Sequence, residues 1–120
     1  MNEKILIADD SVFARKILID ILNKNGYKNI VEATNGIEAV EKYEKEKPDL
    51  LMLDLIMDKM DGIEALQKIM EMDKNAKVIV VSAVGQETIA SKSLRIGAKE
   101  YVVKPIDEHR VMKGIKKIIG

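Results

Sequence analysis

Apolar residues fall into two kinds of pattern that alternate along this chain. Short, almost unbroken apolar runs occupy residues 4–8, 29–33, 50–53, 78–81 and 101–103. Between them, apolar positions recur every three or four residues, the spacing that places side chains on one face of a helix. Phe13, Ile17 and Ile21 define such a face in the first stretch; Ile63, Leu66, Ile69 and Met70 define one in the third. Three of the five runs are apolar nearly throughout, as strands covered on both faces of a parallel sheet should be. The pattern predicts β-α repeated five times, hence an α/β sandwich with a parallel sheet and right-handed crossovers.

Polar residues punctuate this pattern at the expected places. Asn35 followed by Glu38, and Asp61 followed by Glu64, have the form of a helix cap with a glutamate three residues on. Gly26 and Gly97 stand where helices commonly end in a glycine, and Pro48 should end the second helix. With no longer-period repeat, low-complexity stretch or linker, residues 1–120 read as a single domain with no output domain attached.

Composition narrows the function classes. Hydrophobic residues make up 47% of the chain, which excludes a disordered segment. Lys plus Arg and Asp plus Glu each number 20, so a nucleic-acid partner is not expected. The absence of cysteine removes disulfides and thiolate metal sites. The apolar run from Ile5 stops at Asp9, and Asp54 interrupts the run over 50–57, whereas a membrane-spanning helix needs about 20 apolar residues. The N-terminus lacks the features of a signal peptide. A cytoplasmic monomer is the expectation.

The residues that follow each run carry the chemistry. The first run leads into Asp9-Asp10-Ser11, the third into Asp54, the fourth into Ser82-Ala83 and the fifth into Lys104-Pro105; only the second ends blandly, in Thr34-Asn35-Gly36. In a parallel sheet these groups share one rim, with neighbouring strands about 4.8 Å apart. Two unit charges about 5 Å apart repel by roughly 3 kcal/mol at an effective dielectric near 20. Three carboxylates so placed must therefore raise a pKa or bind a cation. Oxygen ligands without histidine or cysteine favour a hard ion, and Mg²⁺ is typically held by one or two carboxylates plus phosphate oxygens. A lysine on the same rim and a serine hydroxyl would complete a phosphoryl site, with Asp54 as a carboxylate nucleophile.

Singly, each motif has an ordinary explanation. Asp9-Asp10-Ser11 could cap the first helix, Asp54 could be solvated, Ser82 could bond locally and Lys104 could be an exposed charge. Tyr101 could be a half-buried strand aromatic. Most of the five methionines from Met52 to Met72 read as core filler. His109, the only histidine, reads as solvent-facing, and Lys113, Lys116 and Lys117 as a solvated face.

Taken together and in order, these motifs resemble the response-regulator receiver domain over essentially the whole chain. The stretches Asp10-Ser11-Val12-Phe13-Ala14-Arg15 and Ser82-Ala83-Val84-Gly85-Gln86 more narrowly resemble stand-alone chemotaxis regulators. The resemblance implies a flavodoxin-like, doubly wound five-stranded parallel sheet of order 2-1-3-4-5 with five helices. It implies that Asp54 is phosphorylated by the phosphohistidine of a chemotaxis histidine kinase. Asp10, Asp54 and the backbone carbonyl of Ile56 would bind Mg²⁺ directly, and Asp9 through water. Lys104 would pair with the phosphoryl group, Ser82 would move toward it, and Tyr101 would turn inward as the switch. The bond before Pro105 would be cis. A downstream motor-switch or adaptor protein would bind the face of the fourth helix, fifth strand and fifth helix, and a phosphatase is a further expected partner.

Three positions depart from the family's common pattern: Asp58 where proline is frequent, Ile56 where some relatives are polar, and Ile106 where phenylalanine is frequent. Other readings of the same rim are a single-domain phosphorelay intermediate, an aspartate-nucleophile phosphatase, and a nucleotide or flavin carrier. The phosphatase reading lacks a cap domain and has its nucleophile after the third strand instead of the first. The carrier reading lacks a glycine-rich loop after the first strand.

Overall fold

The structure, a computed structural model, describes residues 2–57 and 59–120. Strands β1 (Lys4–Ala8), β2 (Asn29–Ala33), β3 (Leu50–Asp54), β4 (Val78–Ser82) and β5 (Glu100–Val103) alternate with helices α1 (Val12–Lys24), α2 (Gly36–Glu46), α3 (Gly62–Met72), α4 (Glu87–Ile96) and α5 (Glu108–Ile118). Every strand pair is parallel, and the sheet order is β2-β1-β3-β4-β5. This is the doubly wound, flavodoxin-like order that the resemblance implied.

Strand periodicity divides the core in two. Leu6, Leu51, Leu53, Val78 and Val80 face a cluster that includes Ala39, Tyr43, Leu66 and Ile69 from α2 and α3. Ile5, Ile7, Leu50, Met52 and Ile79 face the opposite cluster, built on Leu18 and Leu22 of α1 and on Val111 and Ile115 of α5. Because successive side chains of a strand point to opposite faces, one short apolar run serves both layers. The central strands β1, β3 and β4 are the nearly fully buried ones, and β2 and β5 form the more exposed edges. Each fully buried Leu or Ile contributes about 1.5–3 kcal/mol, so the middle of the sheet is its most strongly held part.

Three strands run one residue further than their apolar runs. Asp54 stands opposite Val81 and Ser82 opposite Val103, so the ladder extends onto polar residues at the rim; β5 gains Glu100 at its start. The two polar groups most important to the rim therefore sit on paired backbone and not in loops.

In α1 the structure corrects the expected face. Phe13 is 73% exposed, and Ile17 and Ile21 are only half-buried. Ala14, Leu18 and Leu22 carry the buried stripe. The two stripes share the same four-residue spacing and lie one residue apart, about 100° around a helix of 3.6 residues per turn. Spacing alone cannot choose between them. The face of α3 is as expected, with Leu66 and Ile69 buried and Ile63 and Met70 packed against the same cluster.

The caps are largely as anticipated. Asn35 accepts from the N–H of Glu38 at 2.9 Å, and Asp61 from the N–H of Glu64 at 2.8 Å. Glu38 returns its bond to the N–H and hydroxyl of Thr34, one residue earlier than a standard capping box. Gly26 and Gly97 follow α1 and α4 at positive φ, and α2 ends before Pro48. Of the methionines, Met52 and Met57 are buried, Met60 and Met70 pack on the core, and Met72 is exposed. Among the described residues no helix is long and apolar enough to cross a membrane.

Close backbone approach fixes where α3 starts relative to β3. A Cβ on Gly62 would lie 2.4 Å from Leu55 Cα and 2.5 Å from the carbonyl oxygen of Asp54, whereas one on Gly114 in α5 would meet its nearest neighbour at 3.6 Å. Gly62→Ala is therefore expected to lower unfolding stability by about 2–3 kcal/mol through overpacking. Gly114→Ala should instead raise it by up to about 1 kcal/mol, because alanine loses less backbone entropy in a helix. Urea denaturation of the two variants beside the parent chain measures both.

Candidate functional site

The C-terminal ends of the strands form the rim where the sequence-predicted residues meet. Asp9 and Asp10 follow β1, Asp54 closes β3, Ser82 closes β4 and Lys104 follows β5. Oxygens of Asp9, Asp10 and Asp54 all lie within 4.8 Å of one another. Asp9 and Asp54 are buried, and Asp10 is exposed.

Lys104 reaches this cluster from the sheet edge. From β5 to β3 is two strand spacings, about 10 Å, so only a long side chain can make the crossing. Its Nζ lies 3.3 Å from Asp9 Oδ2 and 3.3 Å from Asp54 Oδ2. The backbone N–H of Lys104 also donates to the Ser82 carbonyl at 2.7 Å, which holds the start of the loop against β4. The peptide bond before Pro105 is cis, as the resemblance implied.

Each carboxylate has a different set of commitments. Asp9 Oδ1 accepts from the N–H of Ser11 at 2.8 Å and Oδ2 from Lys104. Asp54 Oδ1 accepts from the N–H of Ile56 at 3.1 Å and Oδ2 from Lys104. Among the described residues the carboxylate of Asp10 makes no hydrogen bond. Ser11 meanwhile caps α1, its side chain accepting from the N–H of Ala14 at 3.1 Å. The turn after β1 thus both caps a helix and delivers carboxylates.

The charge balance is unfavourable without a further cation. Burial pushes the carboxyl of Asp54 above its ordinary range; the Ile56 N–H works against this, the Asp9 charge adds to it, and Lys104 opposes it. Burial alone would lower the Lys104 ammonium, but Asp54 and Asp9 outweigh it and hold the ammonium above its ordinary value. Three carboxylates against one ammonium leave a formal excess of two negative charges. Hard oxygen donors at this spacing fit a divalent cation such as those bound by carboxylates and water.

The remaining predicted residues lie as follows. Ser82 is buried beside Asp54 at the end of β4. Ile56 is half-exposed two residues past the end of β3, with its N–H turned to Asp54. Tyr101 lies away from the cluster, on the outer part of β5, opposite Val80 and partly exposed. Asp58 lies outside the described residues. Ile106 packs against the α1–α5 side of the core, and His109 is exposed.

Two features of the rim escaped the sequence reading. Val12, Phe13, Ile56 and Val84 are all exposed on loops or helix starts after β1, β3 and β4, giving the polar cluster an apolar collar. Arg15 is buried, and it bonds both the Asp9 carbonyl and Glu32. A charged residue one step from the Ala14–Leu18–Leu22 stripe was the available signal.

The fold and the carboxylate cluster at its rim are those of a signalling receiver domain, and the chain belongs to the response regulator receiver domain family, whose family model matches residues 5–116. The chemotaxis protein CheY of Thermotoga maritima is 46% identical over 118 residues, covering 98% of each chain. That of Bacillus subtilis is 44% identical over 120 residues, covering 100% of each. A chain of the CheX–CheY–BeF3–Mg complex from Borrelia burgdorferi superposes with a TM-score of 0.93 at 42% identity, covering 98% of this chain and 90% of that one. The protein is thus a homologue of phosphorylation-activated response regulators, and neither the phosphatase nor the carrier reading is favoured.

A buried carboxylate that is harder to ionise than usual destabilises the fold when charged. The folded pKa of Asp54 is raised, so its contribution to stability is greatest below the unfolded pKa and is lost as pH rises through the folded one. Asp54→Asn should therefore have a higher urea midpoint than the parent chain at neutral pH in metal-free buffer. The gap should narrow as pH falls through the carboxylate range.

Proposed function

We propose that this chain is a phosphorylation-switched regulator of motility in the cytoplasm, with Asp54 accepting a phosphoryl group from a chemotaxis histidine kinase. The observation that carries the reading is the division of labour among three carboxylates. One ammonium is shared by Asp9 and Asp54, and among the described residues the Asp10 carboxylate makes no hydrogen bond or ion pair.

The donor set fits Mg²⁺, with Asp10, Asp54 and the Ile56 carbonyl as direct ligands and Asp9 acting through water. The water-mediated role of Asp9 is the one the family resemblance implies, since Asp9 and Asp54 alike have both oxygens engaged by protein donors. When bound, Mg²⁺ would neutralise charge on the phosphoryl oxygens. A carboxylate oxygen of Asp54 attacks phosphorus, the P–N bond to the donor's imidazole breaks, and an aspartyl phosphate results. Phosphoryl transfer depends mainly on positioning and charge stabilisation. The strand pairing that holds Asp54 opposite Val81 supports the first. Lys104, already between the carboxylates, would move onto the phosphoryl oxygens and support the second. Ser82 would donate its hydroxyl to another of these oxygens.

Output is the change in shape that follows. Movement of Ser82 toward the phosphoryl group would leave space that Tyr101 fills by turning inward. That would reshape the groove lined by Tyr101, Val103, Arg110, Lys113 and Lys117 on β5 and α5, where a motor-switch or adaptor protein would dock. The shift is a population change between two states, driven by the better fit of one of them to the phosphorylated site. A further protein partner, which the resemblance implies is a phosphatase, is supported by the Borrelia burgdorferi structure, where a CheY is in complex with CheX. On this reading the chain is a phosphoacceptor that assists its own phosphorylation and dephosphorylation, and not a turnover enzyme.

Labelling with acetyl phosphate and Mg²⁺ tests the assignment. Asp54→Asn is expected to lower incorporation at least about 100-fold, in line with loss of a nucleophile; incorporation at the parent rate would refute it. The apolar collar generates a separate expectation, because a protein donor must pass it and a small molecule need not. Phe13→Ser should slow transfer from a histidine kinase about tenfold, equivalent to about 1.4 kcal/mol of lost contact. It should leave labelling by acetyl phosphate within twofold.

A further inference from the structure

Arg15 is the buried cation among the described residues, and the phosphoryl chemistry does not use it. It is only 9% exposed. Its Nη1 donates to the carbonyl of Asp9 at 2.8 Å, and its Nε donates to Glu32 Oε1 at 2.9 Å. The gripped carbonyl belongs to the peptide that joins Asp9 to Asp10. On the other side of Asp9, its N–H donates to the carbonyl of Ala33 at 3.1 Å. The Asp9 side chain is fixed in turn by the N–H of Ser11 and by Lys104. Among the described residues nothing holds the carboxylate of Asp10 in this way, so its position is set by the backbone it hangs from.

We propose that Arg15 is a positioning residue for the acidic pocket: by gripping the peptide between Asp9 and Asp10, it sets where the Asp10 carboxylate stands for a divalent cation. The inference rests on the reading of the pocket as a Mg²⁺ site. A planar guanidinium can serve two acceptors in different directions from a fixed fork, whereas a lysine ammonium is a point charge on a flexible stem. Glu32 supplies the second anchor from the edge strand β2 and keeps the fork oriented. Groups that hold metal ligands from behind typically alter affinity by about 10–100-fold when removed.

The sign of the effect separates positioning from plain electrostatics. Removing a positive charge near an acidic pocket should, by Coulomb attraction alone, tighten cation binding. Loss of positioning should weaken it. A purely structural ion pair should lower stability and leave the affinity of the folded protein unchanged.

The test is calorimetric titration of the full chain with MgCl₂, for the parent, Arg15→Met and Arg15→Lys, with urea curves to establish that each is folded. Both variants are expected to bind Mg²⁺ about tenfold more weakly. Affinity equal to or tighter than that of the parent in Arg15→Met would overturn the proposal. Should that variant fail to fold, Arg15→Lys, which retains the charge, decides on the same criterion. In metal-free buffer, the amide resonances of Asp10 and Ser11 should shift in both variants; unchanged resonances would also overturn it. A parent chain that binds no Mg²⁺ would instead remove the metal reading of the pocket, and the amide resonances would still decide whether Arg15 holds the turn.

Discussion

Among the described residues, three carboxylates share the rim of this sheet with one ammonium, and much of the surrounding structure keeps that arrangement in place. Asp9 and Asp54 are withdrawn from water and would repel each other, yet Lys104 sits 3.3 Å from both. Backbone N–H groups of Ser11 and Ile56 take up the other oxygens. Removing Lys104 would strand both buried carboxylates, a loss that typically costs about 3–5 kcal/mol, whereas neutralising Asp54 leaves the ammonium paired with Asp9. The fold therefore holds the site under electrostatic strain: the excess negative charge favours a divalent cation, and only with that cation beside Lys104 would an anionic phosphoryl group be tolerated.

The sheet makes such crowding tolerable. Strands β1, β3 and β4 are packed on both faces by two separate apolar clusters, so their ends are anchored by the most strongly buried residues of the chain. Asp54 and Ser82 lie on the ladder itself, opposite Val81 and Val103. Close contact between Gly62 and the backbone of Asp54 and Leu55 seats α3 directly against the end of β3. The acidic turn after β1 is braced from three directions, by the β2 edge, by Arg15 and by Lys104. Apolar packing thus supplies the rigidity, and the polar rim uses it.

Much of this was legible in the sequence because strand ends are conspicuous. Runs that stop abruptly at Asp, Ser or Lys announce a rim, and their order along the chain places the rim residues once the sheet is parallel. The strand order itself came from the family resemblance, since alternation alone does not fix it. The inner face of α1 was misassigned because Phe13-Ile17-Ile21 and Ala14-Leu18-Leu22 have the same period; only three-dimensional packing separates their phases. Arg15 was passed over for the same reason, since its burial depends on which stripe faces the sheet. Its partner Glu32 is distant in sequence and adjacent only through strand pairing. The return bond of Glu38 to Thr34 in place of Asn35 was likewise a matter of one residue's geometry.

Strand β5 has a backbone partner on one side only, since it is the last in the sheet. The lysine that follows it nevertheless spans the width of β4 to grasp β1's and β3's acids. In mechanical terms the edge strand is moored twice, by its own ladder and by a four-carbon line thrown across its neighbour. The second mooring is the one that phosphorylation, on the proposed reading, would cast off, and it is fastened to a strand with an unpaired outer flank.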